Sequence, residues 1–192
     1  MIYLIRHGQT EFNLAGRLQG RLDSPLTDLG VEQARRMGLR LKDLIAGDHP
    51  RARVVSSPLG RTRRTAEIVC DAIGLDCRIE LEPRLAEIDV GDWEGLDRAG
   101  IQRAAPHVDF QPGWLFQAPG GEREADLEAR LGAWLAEVDE ADGLVRVVVS
   151  HGVAGRVLRR LYCGAEGEAP PQDAVFRLYK GLSGRVDLGA ET

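Results

Sequence analysis

The sequence predicts an α/β layered domain with a mainly parallel sheet, and two observations carry that prediction. Apolar runs of strand length alternate with longer segments of helical period. Two of the runs also end alike, in Arg6-His7-Gly8 and Ser150-His151-Gly152. Parallel strands present side chains at one common edge, so two matched endings read as one site.

The elements follow in order. Residues 2–5 form a first strand, which stops at Arg6-His7-Gly8-Gln9-Thr10, where Gly8 lets the chain turn. Val31, Ala34, Leu41 and Ile45 mark a helix with Thr27 as its N-cap. A strand at 52–56 leads into a helix with Ser57 as cap and Pro58 at its first position, turning Ala66, Val69 and Ile73 inward. A strand is expected at 77–81. Residues 89–121 then break the rhythm with Trp93, Phe110, Trp114, Phe116 and three prolines, and read as a lid-like excursion over the sheet edge or a packing insertion. Leu127, Leu131, Trp134, Leu135 and Val138 mark a third helix. A strand at 145–149 delivers His151 to a fourth helix through Val153, Val157 and Leu161, and strands at 175–179 and 185–188 close the chain.

The 192 residues suit one domain, 1–192, with no repeat, low-complexity tract or linker. With 43% hydrophobic and 29% charged residues the composition is that of a soluble globular protein. A net charge of −5 disfavours general nucleic-acid binding, so anion binding must come from a local site. No apolar stretch approaches the roughly 20 residues of a membrane span. Met1 opens directly on a strand without a basic leader, from which a cytoplasmic protein is expected. Cys70, Cys77 and Cys163 are odd in number and unpaired in spacing, as free buried thiols would be. The four histidines lack metal-ligand spacing, and no metal or cofactor is expected.

Three segments bring chemistry to the sheet edge. The first supplies Arg6 and His7 with Asn13 close behind; Ser56-Ser57-Pro58-Leu59-Gly60-Arg61 places Arg61 in a first helical turn; the third supplies His151. Two guanidiniums, two imidazoles and two helix N-termini would converge, and each favours a bound phosphoryl group. Plainer readings stand beside these. Arg6-His7 could be a surface pair, Asn13 a turn residue, and Arg61 part of a solvated face with Arg63 and Arg64. Gln19 and the Gly20 backbone could line the pocket or simply form a polar loop, and Arg21 could face solvent. A proton source is best supplied by Glu87, whose apolar neighbours Leu85 and Ile88 suggest a partly desolvated carboxyl suited to a general acid. Asp89, Asp92 and Glu94 read as loop acids in competition with it.

These motifs, with Leu85-Ala86-Glu87-Ile88 and Gly91-Asp92-Trp93-Glu94-Gly95, resemble the histidine phosphatase (phosphoglycerate mutase-like) superfamily. They occur in that family's order and span nearly the whole chain. The resemblance implies a three-layer α/β/α sandwich and a phosphohistidine intermediate. It implies His7 as nucleophile, Arg6, Arg61 and His151 around the phosphate, and Glu87 as proton donor. In that mechanism Arg6 and Arg61 keep His7 unprotonated, a protonated His151 adds a donor, and water with Glu87 as base hydrolyses phospho-His7. No metal is required, since arginines and histidines supply the charge.

The cofactor-dependent mutases of that family carry a basic insertion after the general acid. Here Glu87 is followed by Ile88-Asp89-Val90-Gly91-Asp92-Trp93 instead. The expected function is therefore a metal-independent phosphomonoester hydrolase acting on a small phosphorylated metabolite. A cofactor-dependent phosphoglycerate mutase and a non-catalytic phospholigand-binding protein are the alternatives. Gln9 replaces a frequent Glu, and Val153 a frequent Gly at the pocket floor. Thr10 and Glu87 argue against the acid phosphatase and phytase branch, and the 89–121 excursion argues against the short phosphohistidine-protein phosphatases. Phosphosugars, phosphoglycerates, nucleotides and α-ribazole-type esters stay open as substrates. Trp93, Trp114 and Phe116 suggest an apolar substrate portion or plain core packing. A homodimer could form along the strand edge near 175–188.

Overall fold

A computed structural model describes residues 1–74, 78–139, 141–164, 167–180 and the backbone of 182–186. Strands β1 (Ile2–Arg6), β2 (Ala52–Ser56), β3 (Glu80–Leu81), β4 (Val145–Ser150), β5 (Val175–Tyr179) and β6 (Leu182–Val186) form one sheet in the order β3-β2-β4-β1-β5-β6. The first four are mutually parallel, and β5 and β6 extend the β1 edge antiparallel. The sheet is thus mainly parallel, as expected. The last strand begins earlier than the expected 185–188, whose residues 187 and 188 lie outside the described residues. The strand expected at 77–81 is two residues long, Cys77 also lying outside them.

Every residue of β1 through Ile5 is apolar because both sheet faces are covered. Tyr3 and Ile5 join Met37, Leu41, Val69 and Ile73 on one face, under helices α2 (Asp28–Leu44) and α3 (Gly60–Ile73). Ile2 and Leu4 join Leu85, Leu127, Leu131 and Leu158 on the other, under α5 (Glu124–Glu137) and α6 (Gly152–Cys163). Alternation along the strand sorts these side chains into two cores. Each fully buried Leu or Ile contributes about 1.5–3 kcal/mol of transfer free energy. The fold is therefore the three-layer sandwich that the sequence implied.

Thr27 caps α2 as expected, its hydroxyl accepting from the Gly30 N–H at 3.0 Å. Val31, however, is 39% exposed, and Gly30, Ala34, Met37, Gly38 and Leu41 face the core. Gly30 explains the offset. Its backbone lies against the 8–9 loop so closely that a Cβ at either Gly8 or Gly30 would collide with the other segment's carbonyl. That contact pins the turn after β1, and with it His7.

Helix α3 departs from expectation at its start. It begins at Gly60, with Leu59 in the capping position and Ser57 and Pro58 still outside. A distant side chain does the capping: the Asp23 carboxylate accepts from the N–H groups of Gly60 and, at 3.1 Å, Arg61. In α6 the core positions are Ala154, Val157 and Leu158, while Leu161 is exposed and Val153 half-buried.

Two short helices, α1 (Glu11–Leu14) and α4 (Arg98–Ala104), were not foreseen, being too short to display a period. The 89–121 excursion holds α4 and is closed at its base by Glu122 N–H to Asp89 O (2.8 Å) and Asp92 N–H to Pro119 O (3.0 Å). Trp93 is buried, and Trp114 packs on it and on Phe110 at centroid distances of 5.6 and 4.9 Å. Packing thus accounts for these aromatics, while Leu115 from the same segment reaches the pocket described next. Cys163 is free and buried, and Cys70 is disulfide-bonded, contrary to the expectation of free thiols. Among the described residues no helix is long and apolar enough to cross a membrane.

Candidate active site

The register of β1 on β4 pairs Arg6 with Ser150, so the residues that follow, His7 and His151, leave the sheet side by side. The His7 N–H continues the ladder to Ser150 O at 3.0 Å, and Ser57 N–H reaches Val149 O at 3.0 Å from the other side. Three strand ends thus meet at one edge. The His7 and His151 rings are 5.3 Å apart between centroids, crossed at 62°, and both are buried.

His7 Nδ1 lies 2.8 Å from Gly8 O. A carbonyl only accepts, so Nδ1 carries the proton and the lone pair stays on Nε2. Burial, then the Arg6 and Arg61 charges, hold the imidazole well below its ordinary pKa of 6.5, leaving it neutral. This is the neutral His7 the resemblance implied.

His151 differs from expectation. Burial, then Arg61, His7, Arg6 and Arg130, also push it well below 6.5, so it is neutral and not protonated. Its Nε2 lies 2.8 Å from Ser57 Oγ, and its buried Nδ1 has no protein partner. If the Ser57 hydroxyl donates to Nε2, the ring proton sits on Nδ1, and a neutral His151 still offers one N–H.

Arg6 donates from Nη1 to Pro170 O at 3.3 Å and lies over Gly152, where a Cβ would stand 3.3 Å from its Cζ. Arg61 clasps the 20–23 loop through Gly20 O (2.8 Å), Leu22 O (2.7 Å) and Asp23 Oδ1 (3.2 Å). Both Nε atoms are buried and, among the described residues, without a partner. Arg63 and Arg64 are exposed, as the solvated-face reading held for them. Asn13 lines the pocket, and its carboxamide oxygen orders the loop by accepting from Thr10 N–H (3.2 Å) and Gln172 Nε2 (2.6 Å). Gln19 and Gly20 line the pocket too, and Gln19 Oε1 is buried without a partner. Arg21 is drawn away, its N–H bonding Glu94 and its guanidinium lying 3.8 Å from Glu122.

Glu87 lines the same pocket, in a setting other than the one expected. Leu85 and Ile88 turn into the core, and the half-buried carboxylate is held by amides. Oε1 accepts from Ile88 N–H (3.0 Å) and Ala154 N–H (2.9 Å), and Oε2 from Val153 N–H (3.1 Å), at the start of α6. Arg130 on α5 holds the segment behind it, donating to the carbonyls of Arg84, Ala86 and Glu87 at 2.5, 2.8 and 3.1 Å. Glu122 neutralises Arg130 at 2.6 Å. Asp89 accepts from the nearby Gly91 N–H, Glu94 ties its loop to Arg21 N–H, and Asp92 is exposed.

The pocket measures about 190 Å³ and also takes in Arg17, Leu18, Ile88, Val90, Leu115 and Val153. Sequence reading missed Arg17 and Arg130. Arg130 lies 43 positions from Glu87 with no local pattern to join them, whereas Arg17, four residues after Asn13, belonged to the same loop and could have been found. Chemically, the pocket sets the Arg6 and Arg61 guanidiniums beside a neutral imidazole with a free lone pair, while His151, 5.3 Å from His7 between ring centroids, lies outside the lining residues. Such a pocket binds a tetrahedral anion against a nucleophile.

Fold and site together define the class of protein, a histidine phosphatase-type α/β sandwich. A family model for the histidine phosphatase superfamily (branch 1) matches residues 2–177, and the chain belongs to that family, whose members are phosphatases or mutases. A Salmonella paratyphi C protein named Probable phosphoglycerate mutase GpmB is 38% identical over 163 residues, 80% of this chain and 70% of that one. Among solved structures, Bacillus stearothermophilus YhfR superposes with a TM-score of 0.76 at 31% identity, over 95% of this chain and 93% of its own. A mycobacterial glucosyl-3-phosphoglycerate phosphatase in complex with VO3 gives 0.70 at 27% identity, over 92% and 90%.

Proposed function

We propose that the chain is a metal-independent phosphomonoester hydrolase that works through a phosphohistidine on a small, cytoplasmic phosphorylated metabolite. One observation carries the reading. Arg6 and Arg61 line one pocket with His7, whose lone pair is on Nε2, and their buried Nε atoms have no partner among the described residues. Unpaired buried donors cost about 1–3 kcal/mol each, more for charged groups, and a phosphoryl group in that pocket would offset this cost.

In this reading His7 Nε2 attacks phosphorus in line, forming the N–P bond as the ester P–O bond breaks. Arg6, Arg61 and His151 stabilise the phosphoryl oxygens without a metal. Glu87 serves as the proton donor to the leaving alkoxide. Water then attacks phospho-His7, Glu87 takes the water's proton, and inorganic phosphate leaves with His7 restored.

Hydrolysis is preferred to mutase activity because Ile88-Asp89-Val90 follow Glu87 where the cofactor-dependent mutases carry a basic insertion, which leaves Arg17, among the described residues, as the one guanidinium lining the pocket besides Arg6 and Arg61. The name of the Salmonella relative favours the mutase reading. Phosphate release in EDTA from aryl phosphate, 3-phosphoglycerate, sugar phosphates, nucleotides and α-ribazole phosphate tests both. Hydrolysis predicts release that His7→Ala abolishes. Isomerisation of 3-phosphoglycerate stimulated by 2,3-bisphosphoglycerate, without phosphate release, would support the mutase instead.

A further inference from the structure

The phosphate pocket continues into a groove. Leu115, Val153 and Ala169 wall both the pocket and a second cavity of about 210 Å³, which Phe116 and Arg156 help complete. A third cavity of about 200 Å³ shares Arg156 with the second and ends at Glu124 and Arg160. The three follow one side of α6, because Gly152, Arg156 and Arg160 recur at four-residue spacing. The 3-10 turn Trp114–Gln117 forms the opposite wall.

The arginines of α6 differ in how they are occupied. Arg160 is paired with Glu124 at 3.0 Å and with Glu128. Arg159 stacks on Phe176, its Cζ 4.2 Å from the ring centroid. Arg156 is half-buried in the groove and, among the described residues, has no hydrogen bond, ion pair or ring contact. Glu124, the acid that lines the third cavity with it, is taken by Arg160. A guanidinium held in a partly desolvated, largely apolar groove without a counter-charge is suited to an anion from outside.

We propose that this groove takes the alcohol portion of the phosphomonoester, and that Arg156 binds a carboxylate carried at its far end. Leu115, Phe116 and Val153 cover the apolar stem between the two charges. The substrate class is thus a monophosphate ester of an amphipathic alcohol: phosphate at His7, an apolar body, and a carboxylate beyond it. This rests on the phosphatase reading, since it assumes that the phosphate sits at His7.

The test uses non-hydrolysable phosphonates, so that binding is read without turnover. Dissociation constants of benzylphosphonate and 4-carboxybenzylphosphonate are measured calorimetrically on the wild type, Arg156→Gln and Arg156→Lys. A charge-assisted hydrogen bond predicts that the wild type prefers the carboxylated ligand by about tenfold or more. The preference should fall to near one in Arg156→Gln and be partly kept in Arg156→Lys. A 4-phosphonomethyl analogue in the same series shows whether a second phosphonate serves as well, and a stronger preference for it would overturn the carboxylate assignment. Equal wild-type affinities, or a preference unchanged in Arg156→Gln, would overturn the groove proposal alone. Failure of both phosphonates to compete with inorganic phosphate at His7 would instead refute the phosphate-pocket reading on which it rests.

Discussion

His7 and His151 stand edge to face, 5.3 Å apart, because adjacent parallel strands end in register beneath them. Neither ring carries a charge, since burial and the same two arginines oppose protonation of both. Each ring therefore keeps one N–H and one lone pair, and that of His7 is on Nε2.

That arrangement has a pH signature in stability. Both folded pKa values lie below the unfolded value of about 6.5, so the unfolded chain binds more protons as pH falls through 6.5. Stability should be full above that pH and decline below it. The carboxyls of Glu32, Glu82, Asp126, Glu137 and Asp142, each hydrogen-bonded to an arginine, are held below their ordinary 4.5 or 3.8 and act only at lower pH. Thermal melts between pH 8 and 5 should show Tm falling below 6.5, with a shallower fall in His151→Asn. An unchanged slope in that variant would contradict neutral burial.

Arg61 is predicted to serve two ends at once. Arg61→Gln removes an anion donor and releases the 20–23 loop from three hydrogen bonds. We expect kcat/KM to drop on the order of 10²–10³ for any ester. A loss below tenfold would exclude Arg61 from the phosphoryl site.

Arg130 should act through Glu87. Arg130→Met frees the carbonyls of 84, 86 and 87 and leaves Glu122 with Arg21, 3.8 Å away, as its charge partner, at a cost on the order of 2 kcal/mol in stability. Removing a general acid costs about 10²–10⁴ in rate, least with good leaving groups. Glu87→Gln and Arg130→Met should therefore both slow alkyl esters more than aryl esters. A leaving-group-independent loss in Arg130→Met would reduce its role to stability.

Asp23 caps α3 from outside the helix. Asp23→Ala should lower stability by about 1 kcal/mol, seen as a lower Tm. An unchanged Tm in Asp23→Ala would contradict capping by Asp23.

These residues also mark how far the sequence can be read. That His7, Arg61 and Glu87 share one pocket, with His151 beside His7, was legible because each stands beside a strand end or in a motif of the family. Asp23 and Arg130 were not, because their partners lie 38 and 43 positions away and only the folded chain joins them. Val31 fitted the helical period but was displaced by a backbone contact at Gly30 that no hydrophobic pattern encodes. Trp93 and Trp114 pointed toward substrate by type, yet stack on each other first.

The central claim is that the phosphoryl group passes through His7. Wild-type protein mixed with an aryl phosphate, quenched in alkali within the first turnovers and mapped by mass spectrometry, should carry one phosphoryl group on the peptide holding His7. The label should vanish in His7→Ala together with turnover. Continued release of phosphate by the wild type with no label on His7, or by His7→Ala at an undiminished rate, would contradict the account.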